Sequence, residues 1–245
     1  MNIKEQQLGG GMTVFTSEIH TFGTDGVLLA SFADPKKNTK AVELGTGCGI
    51  ISLIWCRDNR CKVIHAVDVQ KESCDLVNMA VEKHRLFDKL HVHNSDLKKL
   101  DKVLKAASFD LVVMNPPYKP KDDGIRCERP EIAIARHEIL CNTDDIVTAS
   151  ARLLNTGARL CMCQRPARLC ELMVSMSSHG IEPKRLRMVE QRAGCSPNLF
   201  LIEGKKGAQK GMIIEKPLII ENHEGDFSDE IKEIYGEYYA MKGKM

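Results

Sequence analysis

The chain has 245 residues, 43% of them hydrophobic and 28% charged, and a formal net charge of +2. Such a length and mixture supply a sizeable hydrophobic core and exclude a disordered or fibrous protein. Apolar runs fall short of the ~18 residues a membrane helix needs, the opening MNIKEQQLGGGM has no apolar signal core, and near-neutral charge neither demands nor forbids a polyanionic partner.

Apolar runs and helical periods alternate along the chain, as in βαβ units around a parallel sheet. A short helix is expected over Asp25 to Phe32 with Thr24 as N-cap. Strand 40–44, helix 49–57, strand 62–67, helix 71–85, strand 89–93 and strand 109–114 follow. After a loop, helix 143–154 is expected to stop at Asn155 and Gly157, before strand 158–163 and helix 167–178. Beyond Gly180 two closely spaced strands, 184–189 and 198–203, suit an antiparallel hairpin at the sheet edge. An apolar run from Met212 to Ile220, broken by Pro217, precedes a last helix from Ser228 to about Tyr239.

The ten cysteines are scattered, several within apolar runs where a thiol acts as a small hydrophobe. Cys161 and Cys163 share one strand face but lack a second ligand pair, so no metal site is expected. Buried, reduced thiols and a cytoplasmic location are the expectation.

The chemistry concentrates at strand ends. Glu43-Leu44-Gly45-Thr46-Gly47-Cys48-Gly49 joins a strand to a helix, and its glycines let a ligand approach the backbone and the helix N-terminus. Neither the dinucleotide fingerprint nor a P-loop is present, since Ile50 stands where the fingerprint's third small residue falls. Glu43 would repel a pyrophosphate and suits an amino-acid ammonium, which points to S-adenosylmethionine. The next strand ends at Asp68, placed to accept from both hydroxyls of a ribose. The third ends near Asn94-Ser95-Asp96-Leu97, where Asp96 can accept from an adenine amino group. The fourth ends in Asn115-Pro116-Pro117-Tyr118, which combines hydrogen-bond acceptors with a stacking plate for a planar group bearing an NH2. In an open α/β sheet the ligand crevice lies outside those ends, so Glu43, Asp68, Asp96 and Asn115 should line one cleft.

With these motifs the sequence resembles the class I S-adenosylmethionine-dependent methyltransferases that methylate planar nitrogens. It is most similar to the bacterial family that N6-methylates adenosine 37 of tRNA-Val. Thr21 to Leu29, Glu43 to Leu53, Asp110 to Tyr118, Gly204 to Gly207 and the tail Phe227 to Tyr239 carry the likeness.

The resemblance implies a Rossmann-like α/β fold: a seven-stranded, mostly parallel sheet with an antiparallel C-terminal hairpin and helices on both faces. A single domain is expected, with 1–38 covering the cofactor, 39–204 as core and 205–245 as extension. It also implies a cofactor site of Thr24, Glu43, Gly45, Thr46, Gly47, Gly49, Asp68, Val69, Asp96, Leu97 and Asn115, with Thr24 near the methionine end and Val69 on the adenine face.

In the implied reaction, the Asn115 side-chain oxygen and the Pro116 carbonyl accept from the amine, Pro116 and Pro117 fix that carbonyl, and Tyr118 stacks on the base, worth roughly 1 to 3 kcal/mol. The expected enzyme is a monomer acting on tRNA. Lys119, Lys121, Arg126, Arg129, Arg136 and the segment Lys184 to Arg187 are candidates for phosphate contacts.

Other readings remain open on the sequence. A protein glutamine methyltransferase of the release-factor type shares the motif, but only about forty residues precede the first strand here. Methylation of another RNA or of DNA, or a non-catalytic scaffold, completes the set.

Overall fold

The computed structural model describes residues 2–116 and 141–238. Continuous apolar runs such as Phe109-Asp-Leu-Val-Val-Met114 become strands buried on both faces, which a parallel sheet requires because helices cover each side. The elements in chain order are β1 (Lys4–Gly9), β2 (Met12–Thr16), α1 (Thr24–Ala33), β3 (Thr39–Leu44), α2 (Ile50–Arg57), β4 (Cys61–Asp68), α3 (Lys71–His84) and β5 (Leu90–Asn94). After a 3₁₀ turn at Leu97–Lys102 come β6 (Phe109–Met114), α4 (Thr143–Leu153), β7 (Leu154–Gln164), α5 (Leu169–Ser178), β8 (Ile181–Glu190), β9 (Leu199–Lys206), β10 (Ile213–Ile214), β11 (Leu218–Ile219) and α6 (Asp229–Tyr235).

The main sheet runs β10-β8-β9-β7-β6-β3-β4-β5, with β11 also pairing to β8. The pairings from β5 through β4, β3 and β6 to β7 are parallel, and β9 is antiparallel to both β7 and β8. Among the described residues seven full-length strands, β3 to β9, make up this sheet, and β8 and β9 form the expected hairpin. The two-residue β10 and β11 add to its outer edge on either side of Pro217, whose missing N–H rules out a continuous edge strand there.

Alternation along each strand splits the core. Ala41, Leu111, Val113, Cys161 and Cys163 pack against α1, α2 and α3, whereas Val42, Leu44, Val112, Met114, Leu160 and Met162 pack against α4 and α5. Helices therefore lie on both faces, and Glu43 and Asn115 leave their strands toward the α1–α2 side.

Three local features differ from the sequence reading. First, β1 and β2 form a separate antiparallel hairpin through Gly9, Gly10 and Gly11, all at positive φ, and every residue of β2 is buried. Second, α4 does not stop at Asn155 and Gly157. The chain passes directly into β7 at Leu154, and the pairing steps from Phe109–Leu154 to Leu111–Arg159. Two residues of β6 are thereby matched by five of β7, and Gly157 at φ 81 absorbs the bulge. Third, Thr24 is not the cap of α1. Gly23 holds that position without a side-chain bond, and the Thr24 hydroxyl instead accepts from Tyr235 Oη at 2.9 Å.

That bond belongs to a seam joining the two ends of the chain. Glu237 accepts from the Gly10 amide at 2.6 Å, Phe22 meets Tyr238 at 6.0 Å between ring centroids, and Tyr235 stacks on Tyr238. α6 begins as expected, with the Ser228 hydroxyl accepting from the Ile231 amide at 3.3 Å. It ends earlier than read, at Tyr235, where Gly236 takes φ 53.

Candidate active site

The carboxyl ends of β3, β4, β5 and β6 open onto one cavity of about 530 Å³, within the ~300–1,000 Å³ usual for small-molecule sites. Its floor is the turn after β3. Gly45, Gly47 and Gly49 take φ of 64, 55 and 79, a backbone that other residues adopt only under strain. They serve different ends. A β-carbon on Gly49 would stand 2.8 Å from Val77 Cγ2, so this glycine is demanded by the packing of α2 on α3. One on Gly47 would meet no protein atom within 4 Å, and this glycine faces the cavity.

Glu43 is buried at 2% exposure. Its Oε2 accepts from the Thr46 hydroxyl at 3.0 Å, the Ser52 amide at 3.1 Å and the Ser52 hydroxyl. Burial outweighs these bonds and pushes its carboxyl up to about 7. Glu43 thus ties the turn to the first coil of α2 while holding latent negative charge against the cavity.

Asp68 sits one strand over. Its Oδ2 accepts from the Gly47 amide and its Oδ1 from the Gln70 amide, both at 2.9 Å. Burial, as the main cause, raises its pKa. Val69 follows it with 43% of its surface exposed, an apolar face on the cavity wall. Asp96 and Leu97 line the next stretch, with Asp96 Oδ1 accepting from the Lys98 amide at 2.9 Å to cap the 3₁₀ turn. Met114, Asn115 and Pro116 close the far side.

The cavity therefore brings together Glu43, Gly45, Thr46, Gly47, Asp68, Val69, Asp96, Leu97, Asn115 and Pro116. It does not take in Thr24, whose hydroxyl is turned to Tyr235; its neighbours Gly23, Asp25 and Gly26 line the cavity in its place. Gly49 lies behind the lining as the N-cap of α2. Pro117 and Tyr118 lie outside the described residues, as do Lys119, Lys121, Arg126, Arg129 and Arg136.

Three groups of lining residues were not assigned to the site from the sequence. His20 is 4% exposed, its ring lies 3.2 Å from Ser73 Oγ, and burial lowers its pKa against the opposing pull of Asp68 and Glu72. A lone histidine with no spacing partner carried no signal. Ile19, Thr21 and Phe22 form part of the same wall. Cys141 and Arg165 also line the cavity, and the position of Arg165 one residue past β7 was the available clue.

Within the segment Lys184 to Arg187, both arginines are already engaged by carboxylates. Arg187 makes a two-pronged pair with Glu230 at 2.7 and 2.8 Å, and Arg185 pairs with Glu203 and Glu215 while lying 3.9 Å over the Phe32 ring. Lys184 donates to the Gln209 carbonyl. Both guanidinium groups brace the C-terminal extension against the core.

Burial pushes the thiols of Cys48, Cys56, Cys61 and Cys161 up to about 12. Among the described residues, no group of three or more His, Cys, Asp or Glu is arranged to hold a metal ion, and no helix is long and apolar enough to cross a membrane.

Comparison with known proteins places this cavity in context. Residues 8–167 match the model of the methyltransferase small domain. A tRNA1(Val) (adenine(37)-N6)-methyltransferase of Phocaeicola vulgatus is 26% identical over 218 residues, covering 89% of each chain. Among solved structures, a predicted O-methyltransferase from Agrobacterium tumefaciens superposes with a TM-score of 0.67 at 19% identity, covering 86% of this chain and 95% of that one. The M. jannaschii tRNA m1G37 methyltransferase superposes at 0.60 and 16% identity, over 84% and 57% of the respective chains. Both structures share the fold.

Proposed function

The chain belongs to the methyltransferase small domain family and is an S-adenosylmethionine-dependent methyltransferase, and on that premise we propose that it methylates the exocyclic N6 of an adenine in tRNA, adenosine 37 of tRNA-Val. In this reading it acts as a cytoplasmic monomer, with segments 1–38, 39–204 and 205–245 working as one domain. The observation that carries the reading is a single cavity shared by the Gly47 turn, Asp68 and Asn115. The name of the Phocaeicola vulgatus relative supports the choice of base and RNA.

The cavity's chemistry fits the donor. Open space above Gly47 admits a ligand to the backbone, Glu43 and Asp68 supply negative charge, and Val69 offers an apolar face for a flat ring. We assign Glu43 to the ammonium end, Asp68 to the ribose hydroxyls, Val69 to the adenine face and Asp96 to the adenine amino group. Once bound, S-adenosylmethionine supplies a methyl group on a sulfonium, so the protein's task is alignment.

An adenine N6 is a weak nucleophile because its lone pair is delocalised into the ring. Asn115 Oδ1 and the Pro116 carbonyl accept its N–H bonds, favour a pyramidal nitrogen and stabilise the positive charge that grows on it. The methylated nitrogen is acidic enough to release its proton to water, so no strong general base is required. Tyr118 is assigned the stacking face. Because the reactive atom of a structured RNA is reached only when the base is unstacked, the adenine is turned out into the cleft.

The experiment is nucleoside mass spectrometry of tRNA from cells with and without the gene. Loss of N6-methyladenosine from the tRNA-Val fraction is expected. Unchanged tRNA, with a lost methyl group on a protein glutamine instead, would move the chain to the release-factor type.

A further inference from the structure

Asn115 leaves β6 on the face that carries α1, alongside Leu111 and Val113. One strand over, Cys161 and Cys163 occupy that same face of β7. Pairing of Val113 with Cys161 and of Met114 with Met162 brings residue 163 next to residue 115. The Cys163 side chain has no exposed surface, and its Sγ donates to Asn115 Oδ1 at 3.0 Å. The amide nitrogen faces the other way, 3.9 Å from where a β-carbon on Gly26 of α1 would stand.

A carboxamide has two orientations that exchange acceptor and donor. Only the one with its oxygen toward the acceptor amine can receive an N–H bond. A thiol discriminates between them, because S–H is a donor and sulfur accepts only weakly. A carboxamide oxygen has the capacity for two hydrogen bonds, so a thiol donor on it is compatible with an N–H bond from the amine. Packing alone does not call for sulfur here, since valine fills a similar volume in an apolar strand.

We propose that Cys163 is a positioning residue for methyl transfer: its thiol holds the Asn115 carboxamide in the orientation that presents Oδ1 to the acceptor amine. This rests on the reading that Asn115 Oδ1 receives the amine.

The test compares Cys163→Val, Cys163→Ser and Asn115→Ala as full-length proteins, with labelled S-adenosylmethionine and total tRNA from a strain lacking the gene. Loss of one hydrogen bond predicts that Cys163→Val lowers kcat about fivefold to tenfold, with KM for tRNA and Kd for S-adenosylmethionine held within about twofold. The serine variant restores a donor but its hydroxyl also accepts, so it regains only part of kcat and falls between the valine variant and the native enzyme. Cys163→Ala replaces the valine variant if the branched side chain disturbs folding, as judged by Kd and thermal midpoint. Native kcat in the valine or alanine variant beside an inactive Asn115→Ala would overturn the role of Cys163 alone. Equal impairment of the serine and valine variants would reduce the thiol to packing. Full activity of Asn115→Ala would overturn the underlying reading together with this proposal.

Discussion

Replacing Glu43 by Gln should stabilise the protein and weaken its hold on the cofactor. Glu43 is buried, and its carboxyl lies at about 7 instead of the usual 4.5. A carboxyl whose folded pKa is raised is favourable while protonated, and that advantage is lost as pH rises from the unfolded value through the folded one. The difference corresponds to about 3 kcal/mol of stability surrendered between pH 4.5 and pH 8. Glutamine keeps an acceptor for Ser52 and Thr46 but never ionises, so its melting temperature should exceed the native one at pH 8 by about 6–12 °C and match it near pH 4.5.

Cofactor affinity runs the opposite way. A cationic ligand favours the ionised carboxylate, of which only about a tenth is present at pH 6 when the group titrates near 7. The ratio of native to Glu43→Gln affinity, which cancels the titration of the ligand's own amino group, should rise about tenfold from pH 6 to pH 8. Calorimetric titration and thermal melts across that range measure both effects. Parallel melting curves, or equal affinity of the two proteins at pH 8, would refute the reasoning about Glu43.

Gly49→Ala forces a β-carbon to 2.8 Å from Val77 at a positive φ and should cost about 1–3 kcal/mol in thermal melts. Gly47→Ala meets no protein atom but carries the strain of φ 55, so it should cost about 1 kcal/mol of stability and also raise S-adenosylmethionine Kd in calorimetry, while the same change at Gly49 should act mainly on stability. Thr24→Ala should leave that Kd within about twofold, yet lose about 1 kcal/mol of stability with the Tyr235 bond in equilibrium unfolding. A marked rise in Kd would return Thr24 to the cofactor site. Arg187→Ala should leave the salt dependence of tRNA binding unchanged in filter-binding assays, because Glu230 holds its charge. A slope smaller by about 0.9 would reveal a phosphate contact.

Strand ends were legible because burial writes them as apolar runs and chemistry marks their last residues. Glu43, Asp68, Asp96 and Asn115 thus fell on one cavity from spacing alone. What the sequence concealed depends on contacts distant along the chain. The β1–β2 hairpin is held by packing on α3 and by the Thr13 amide donating to His84, 71 residues away. Thr24 was misplaced because a threonine before an acidic residue reads as a cap, and the competing donor lies 211 residues on in Tyr235. Arg187 looked available for phosphate because Glu230 is 43 residues distant. Cys163 acquires its neighbour from strand register, which no single-strand pattern displays.

The account stands or falls on whether one cleft separates its tasks between Asp68 and Asn115. Calorimetric titration of S-adenosylmethionine, paired with methyl transfer to tRNA, measures this in Asp68→Asn and Asn115→Ala. The account predicts that the Asp68 variant binds the cofactor at least about tenfold more weakly, whereas the Asn115 variant binds normally and transfers nothing. Normal turnover by Asn115→Ala, or undiminished cofactor binding by Asp68→Asn, would contradict it.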